Sequence, residues 1–170
     1  MLTYAWSFGN GNTSTSATPP AQTYATAGTY NVLLTVTGFC GTDTASAIVV
    51  VNPIPVAPTA PGTSICAGNT ATLTATAPGG TYTWWSAPVA GTLLQTGASY
   101  TTPVLSATTN YYVQTTILGC VSPMTTVTVI VNPTPAAPTA VGTTICAGDS
   151  ATLTATAPGG TYEWYDAPVA

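Results

Sequence analysis

Ala71-Thr72-Leu73-Thr74-Ala75-Thr76-Ala77-Pro78-Gly79-Gly80-Thr81-Tyr82 recurs residue for residue as Ala151 to Tyr162, an offset of 80. The same offset carries Val51-Asn52-Pro53 onto Val131-Asn132-Pro133, and Cys66-Ala67-Gly68 onto Cys146-Ala147-Gly148. Identity at a fixed period marks a repeat architecture in which each period is one structural unit. Within the stretch, Ala71, Leu73 and Ala75 alternate with Thr72, Thr74 and Thr76. That two-residue period belongs to a strand with one buried face. Pro78-Gly79-Gly80 then turns the chain, and alternation resumes with Tyr82 and Trp84 on one side and Thr83 and Trp85 on the other.

Working outward, Tyr111, Val113 and Ile117 fall on one strand face, as do Tyr30, Val32, Leu34 and Val36. Val127, Val129 and Val131 match Ala47, Val49 and Val51 in a last strand. No window has the 3.6-residue apolar period of a helix. The expected fold is all-β, with tandem Greek-key β-sandwiches of about seven strands per complete unit and essentially no helix. One complete unit runs over residues 53–132, and residues 133–170 are the start of a second copy, truncated on its C-terminal side. Residues 1–52 are related but different, with Cys40 spaced before Asn52 as Cys120 is before Asn132. They are expected to form an N-terminally truncated domain, so that neither end of the sequence is a natural boundary. Asn52-Pro53-Ile54-Pro55 and Asn132-Pro133-Thr134-Pro135 read as stiff polyproline spacers, which makes the array rod-like.

The 170 residues include no Lys, Arg or His and four acids, Asp43, Asp149, Glu163 and Asp166. Nucleic-acid backbones are neutralised by clustered Lys and Arg, and anionic head groups attract the same residues. Neither nucleic acid nor a membrane surface is therefore an expected partner. No run reaches the roughly 18 apolar residues of a membrane helix, so membrane insertion is not expected either. Disordered chains are poor in β-branched and aromatic residues, whereas this one is rich in Val, Thr, Tyr and Trp. Four cysteines without C-x-x-C or His do not make a zinc site and instead fit an oxidising compartment. The first residues, Met1-Leu2-Thr3-Tyr4, lack the basic start and apolar stretch of a signal peptide.

Two resemblances emerge from these residues. Tyr4-Ala5-Trp6-Ser7-Phe8-Gly9-Asn10-Gly11, with Gln22-Thr23-Tyr24 and Gly28-Thr29-Tyr30-Asn31-Val32, resembles the PKD domain signatures W-D-F-G-D-G and H-T-Y…G-T-Y-x-V. Ser7 and Asn10 stand at the two acidic positions. The later units, with C-x-G-x-x-A-T-L-T-A and a following Gly-Cys, resemble the bacterial immunoglobulin-like repeats of Bacteroidetes gliding-motility adhesins and other type IX secretion cargo. That resemblance implies a secreted, surface-attached, multi-repeat protein of the bacterial cell surface.

Trp6, Trp84 and Trp164 occupy equivalent strand positions, where sandwiches bury a Trp against the opposite sheet. All three are expected in cores. Trp85 and Tyr165 point the other way and are candidates to stack on a sugar ring of an extracellular polysaccharide. The more ordinary role for such outer aromatics is to cover neighbouring strand surface. The Thr72, Thr74, Thr76 ladder is too short and twisted for a flat ice-binding grid. Calcium takes six to eight oxygens, and the complete unit contains no carboxylate, so neither metal nor cofactor is expected. Catalysis lacks its inventory: hydroxyl nucleophiles need a base, and the cysteines have no cationic neighbour to lower a thiol pKa. Asp43-Thr44-Ala45 and Asp149-Ser150-Ala151 resemble the short acceptor for O-glycosylation in exported Bacteroidetes proteins. Thr44 and Ser150 are the candidate acceptors, against the plainer reading of a polar turn before a strand.

The cysteines Cys40, Cys66, Cys120 and Cys146 pose a connectivity question. Counting pairs Cys66 with Cys120, the two in the complete unit. In a seven-strand sandwich, however, their turns fall at opposite poles, and a disulfide needs Cα atoms within about 7 Å. The expectation is therefore a staple between neighbouring units, with the neighbouring repeats of the same chain as partners. Three functions fit: a stalk or adhesin segment, a spacer or accessory module of a secreted hydrolase, and a glycan-binding module using Trp85. None is enzymatic.

Overall fold

The computed structural model describes residues 1–166, and none of these is helical. In the first unit β1 (Thr3–Ser7), β2 (Thr13–Ser14), β3 (Gly28–Gly38) and β4 (Gly41–Val51) form one antiparallel sheet of order β2-β1-β3-β4. The long β3–β4 hairpin pairs Gly28 with Val51 at one end and Gly38 with Gly41 at the other. Cys40 therefore sits at its tip, remote from Asn52. Tyr30, Val32, Leu34 and Val36 share the half-buried face. Trp6 lies opposite Leu34 and stacks on Phe8, with ring centroids 5.9 Å apart. The Tyr24 hydroxyl donates to the Phe8 carbonyl at 3.1 Å, so a loop rather than a second sheet covers this face. Asn10, at an acidic position of the PKD-like signature, accepts the Asn12 N–H at 3.0 Å and donates to the Thr23 carbonyl at 3.1 Å. The amide thus supplies the acceptor a carboxylate would, with no charge.

The middle unit closes. Its strands are β5 (Thr63–Cys66), β6 (Thr72–Thr74), β7 (Thr81–Trp85), β8 (Leu93–Thr96), β9 (Ser99–Thr101), β10 (Thr109–Ile117), β11 (Cys120–Val121) and β12 (Thr125–Asn132). One sheet runs β5-β12-β10-β7-β8, with β11 beside β10, and β6 pairs with β9 in the other. The chain crosses between sheets after β5, β6, β8 and β9, which is the Greek-key pattern. β5 pairs in parallel with β12, from Thr63 opposite Val129 to Cys66 opposite Asn132. Ala71, Leu73 and Ala75 from one sheet meet Trp84, Tyr111, Val113, Val127 and Val129 from the other in a single buried cluster. Every member lies between Ala60 and Val131, so this unit supplies its whole core from its own residues. Tyr100 packs on Tyr111 edge-on at 5.2 Å, and burial raises both phenols above their ordinary pKa.

Two polar devices finish the end of this core nearest Asn52. Buried Thr115 and Ser122 exchange hydrogen bonds: Thr115 N–H donates to Ser122 Oγ at 3.0 Å, and Ser122 N–H to the Thr115 carbonyl at 2.9 Å. The turn of the repeated motif is closed by Tyr82, whose hydroxyl accepts the Ala77 N–H at 2.7 Å and donates to the Ala77 carbonyl at 3.1 Å. Both bonds go with the hydroxyl while the ring remains in Tyr82→Phe. At about 1 kcal/mol net per bond, that variant is expected to lose about 1–2 kcal/mol in urea unfolding of the middle unit. A midpoint equal to that of the parent chain would contradict the assignment.

Among the described residues of the third unit, only β13 (Thr139–Ala140) and β14 (Ala155–Thr156) pair. The hydroxyl of Tyr162 nevertheless repeats the closure, with Ala157 N–H at 2.8 Å and the Ala157 carbonyl at 2.9 Å. The final residues of the 133–170 unit, 167–170, lie outside the described residues.

Candidate functional site

Among the described residues, no group of three or more His, Cys, Asp or Glu side chains comes together as a metal site would require. The features left to consider are the outer aromatic face of the middle unit and its two ends.

On the outer face, Trp85 of β7 lies directly opposite Tyr112 of β10, which lies opposite Thr126 of β12. Both aromatics are half-buried, and Trp85 Nε1–H donates to Thr83 Oγ1 at 3.1 Å. The indole is thus laid along the sheet with its donor already used. Tyr112 was not singled out from sequence; its signal is the Tyr111-Tyr112 pair, which alternation must divide between core and surface. Tyr165 is 59% exposed. Its hydroxyl donates to Glu163 Oε2, and the carboxylate acceptor raises the phenol pKa.

The three tryptophans expected in cores have different surroundings. Trp84 is 0% exposed, and its Nε1–H donates to the Gly97 carbonyl at 3.0 Å. Trp6 is only half-buried, because a loop and not a second sheet covers it, and its Nε1–H reaches the Ser16 carbonyl at 3.1 Å. Trp164 is 55% exposed in residues 133–166, without the partners that bury Trp84. The residues that bury Trp84 come from Tyr100, Tyr111, Val113 and Val127, and their counterparts one period on fall beyond residue 170. Thr44 is exposed but lies inside β4 opposite Thr35, with its N–H on Asp43 Oδ1 at 2.8 Å. A polar turn at Asp43-Thr44-Ala45 is thereby corrected to strand. Ser150 is exposed and follows a turn in which Asp149 N–H donates to the Cys146 carbonyl at 3.1 Å.

At the N-terminal end of the middle unit, Ile117 pairs with Cys120 across a two-residue hairpin. Leu118 and Gly119 both have positive φ, 48° and 79°, as the type I′ hairpin turn demands. This turn meets the linker: Asn52 Nδ2–H donates to the Leu118 carbonyl at 3.3 Å, and Cys120 Sγ lies 3.8 Å from the Asn52 carbonyl oxygen. At the other end, Cys66 lies level with Asn132, and Ala67 N–H donates to the Asn132 carbonyl at 2.8 Å. Cys66 and Cys120 thus occupy opposite ends of the sandwich. They are separated by more than the length of β12, about 25 Å at 3.3 Å per residue. None of the four cysteines is in a disulfide.

Two sheets linked by Greek-key crossovers, a parallel first-to-last strand pair and a buried Trp on β7 define an immunoglobulin-like module, here set in a repeat after a single-sheet unit. The chain belongs to the CHU_C-associated Ig-like domain family, whose model matches residues 55–133 and again 135–170. A PKD domain model matches residues 1–53, so the order is a PKD-like unit followed by Ig-like repeats. No curated protein matches the chain. Among solved structures, the N-terminal four Ig domains of Dscam1 isoform 1.9 align at 10% identity and a TM-score of 0.35, covering 78% of this chain and 38% of that one. The titin domains z1z2 in complex with telethonin align at 17% identity and 0.32, covering 78% and 83%. Three N-terminal domains of the bacteriophage RB49 outer capsid protein Hoc align at 14% and 0.34, covering 78% and 58%. Similarities this low carry no argument, and this chain spans well under half of the Dscam1 fragment. PKD and Ig-like domains are typical of extracellular proteins and are typically non-catalytic. Among the described residues, no helix is long and apolar enough to cross a membrane.

Proposed function

We propose that this chain is a segment of the stalk of a secreted, surface-attached, multi-repeat bacterial adhesin, of the kind exported by Bacteroidetes. The observation that supports this reading is the placement of the two Asn-Pro linkers at opposite ends of one sandwich, Asn52 against Leu118 and Asn132 beside Cys66. A unit entered at one end and left at the other adds its full strand length to the molecule. With β10 and the linker laid end to end, each added unit extends the array by about 35–40 Å at the rise of extended chain. Small-angle scattering of chains carrying one, two and three complete copies of residues 53–132 tests this. The maximum dimension should grow by that step per copy, and growth as the cube root of mass would sink the stalk.

A second reading, direct glycan binding, draws on the Trp85–Tyr112 juxtaposition. It calls for binding to a polysaccharide array that is lost in Trp85→Ala. An array without hits leaves the outer aromatics as surface cover.

A further inference from the structure

We propose that consecutive Ig-like units are joined by a disulfide across the Asn-Pro junction, from Cys66 of one unit to the cysteine that takes the place of Cys120 in the next. Cys120 Sγ lies 3.8 Å from the carbonyl oxygen of Asn52, the residue that precedes its own unit. Asn132 is the same residue one period later, within the same Val-Asn-Pro sequence. The next unit's cysteine is therefore brought to the Asn132 carbonyl. That oxygen already accepts the N–H of Ala67, the residue after Cys66, at 2.8 Å. One carbonyl thus collects the thiol of one unit and the Cys66–Ala67 peptide of the other. The incoming sulfur falls within about 7 Å of the Ala67 nitrogen, one residue along from Cys66.

The surroundings agree. Cys66 is exposed, alternating with Ile65, which packs on the core, so its thiol is free to meet a neighbour. Cys66 and Cys120 are too far apart to bond to each other within a unit. The first unit has its cysteine, Cys40, at the hairpin tip farthest from Asn52, so Cys40 is not the partner of Cys120. In the reaction, two thiols lose two protons and two electrons to a protein or small-molecule disulfide, which is reduced to two thiols as the new S–S bond forms. The extracellular reading enters only as the source of that oxidant.

The test extends chain 1–170 with a copy of residues 91–132 after Ala170, completing the third unit, and supplies oxidised glutathione. Alkylation and mass spectrometry follow, with chymotrypsin as the protease because the chain has no Lys or Arg. Free thiols should fall from five to three, with Cys66 linked to the added copy of Cys120, while Cys66→Ser leaves the added thiol free. A Cys66–Cys120 bond, or an alkylatable Cys66 in an extended chain whose third unit has buried Trp164, overturns the proposal. The chain without extension gives a second measurement that does not depend on folding of the added segment. All four of its thiols should stay reduced in the monomer, and a Cys66–Cys120 bond there refutes the staple directly. Because oxidant is provided, failure here leaves the stalk reading intact, and that reading is judged separately by scattering.

Discussion

Trp84→Ala is expected to destabilise the middle unit by about 4 kcal/mol, the scale for deleting a buried Trp from a packed core. The corresponding fall in Tm is about 20 °C for a domain of this size. Trp84 is fully buried between the sheets and hydrogen-bonded to the Gly97 carbonyl. Truncation therefore opens a cavity beside Val113 and Val127 and also leaves that carbonyl without its donor. Trp164→Ala, at the equivalent position one period on, is expected to move the same transition by less than about 0.5 kcal/mol, as exposed substitutions do. Scanning calorimetry of both variants in the full chain checks the pair, since tryptophan fluorescence would lose its own reporter. Equal shifts would mean that Trp164 shares a core.

Gly80→Ala carries the second large effect. Gly80 has φ +95°, and a Cβ there would stand 2.6 Å from Thr115 Oγ1, 2.7 Å from Ile117 Cγ1 and 2.7 Å from the Thr116 carbonyl oxygen. The backbone conformation alone costs an L-residue about 1–2 kcal/mol. Overpacking against a carbonyl that cannot move without breaking β10 adds about 1–3 kcal/mol. A loss of about 3 kcal/mol is expected in the unfolding free energy of the middle unit, read from its urea transition. Gly160, the same residue of the same motif, has φ +89° with nothing within 4 Å of a Cβ. Gly160→Ala should leave the main transition in place. A Gly80→Ala chain as stable as the parent would show that the turn does not press on β10.

The twelve-residue repeat makes the division between sequence and structure visible, because one motif occurs in two settings. Alternation of Ala71, Leu73 and Ala75 with threonines announced a one-faced strand, and those three residues line the core while the threonines are exposed. The outer position of Tyr112 was implicit in the same period but masked by its identical neighbour. The buried Thr115–Ser122 exchange had no sequence signal, since Thr and Ser there look like any surface strand and turn. The loop that covers Trp6 was equally hidden, because its contacts join Phe8 to Tyr24 across residues with no periodic pattern.

Sequence alone determined what is local. The all-β class and the turn closed by Tyr82 on Ala77 or Tyr162 on Ala157 depend on residues a few positions apart, so the turn forms in both settings, and the 80-residue period is read from identity alone. Tertiary structure decided what is distant. Trp84 is buried by Tyr111, Val113 and Val127, on strands some thirty to forty residues further along, which its flanking motif does not name. The placement of Cys66 and Cys120 at opposite ends has the same origin: strand direction and register, not spacing along the chain, fix which groups an Asn-Pro junction brings together.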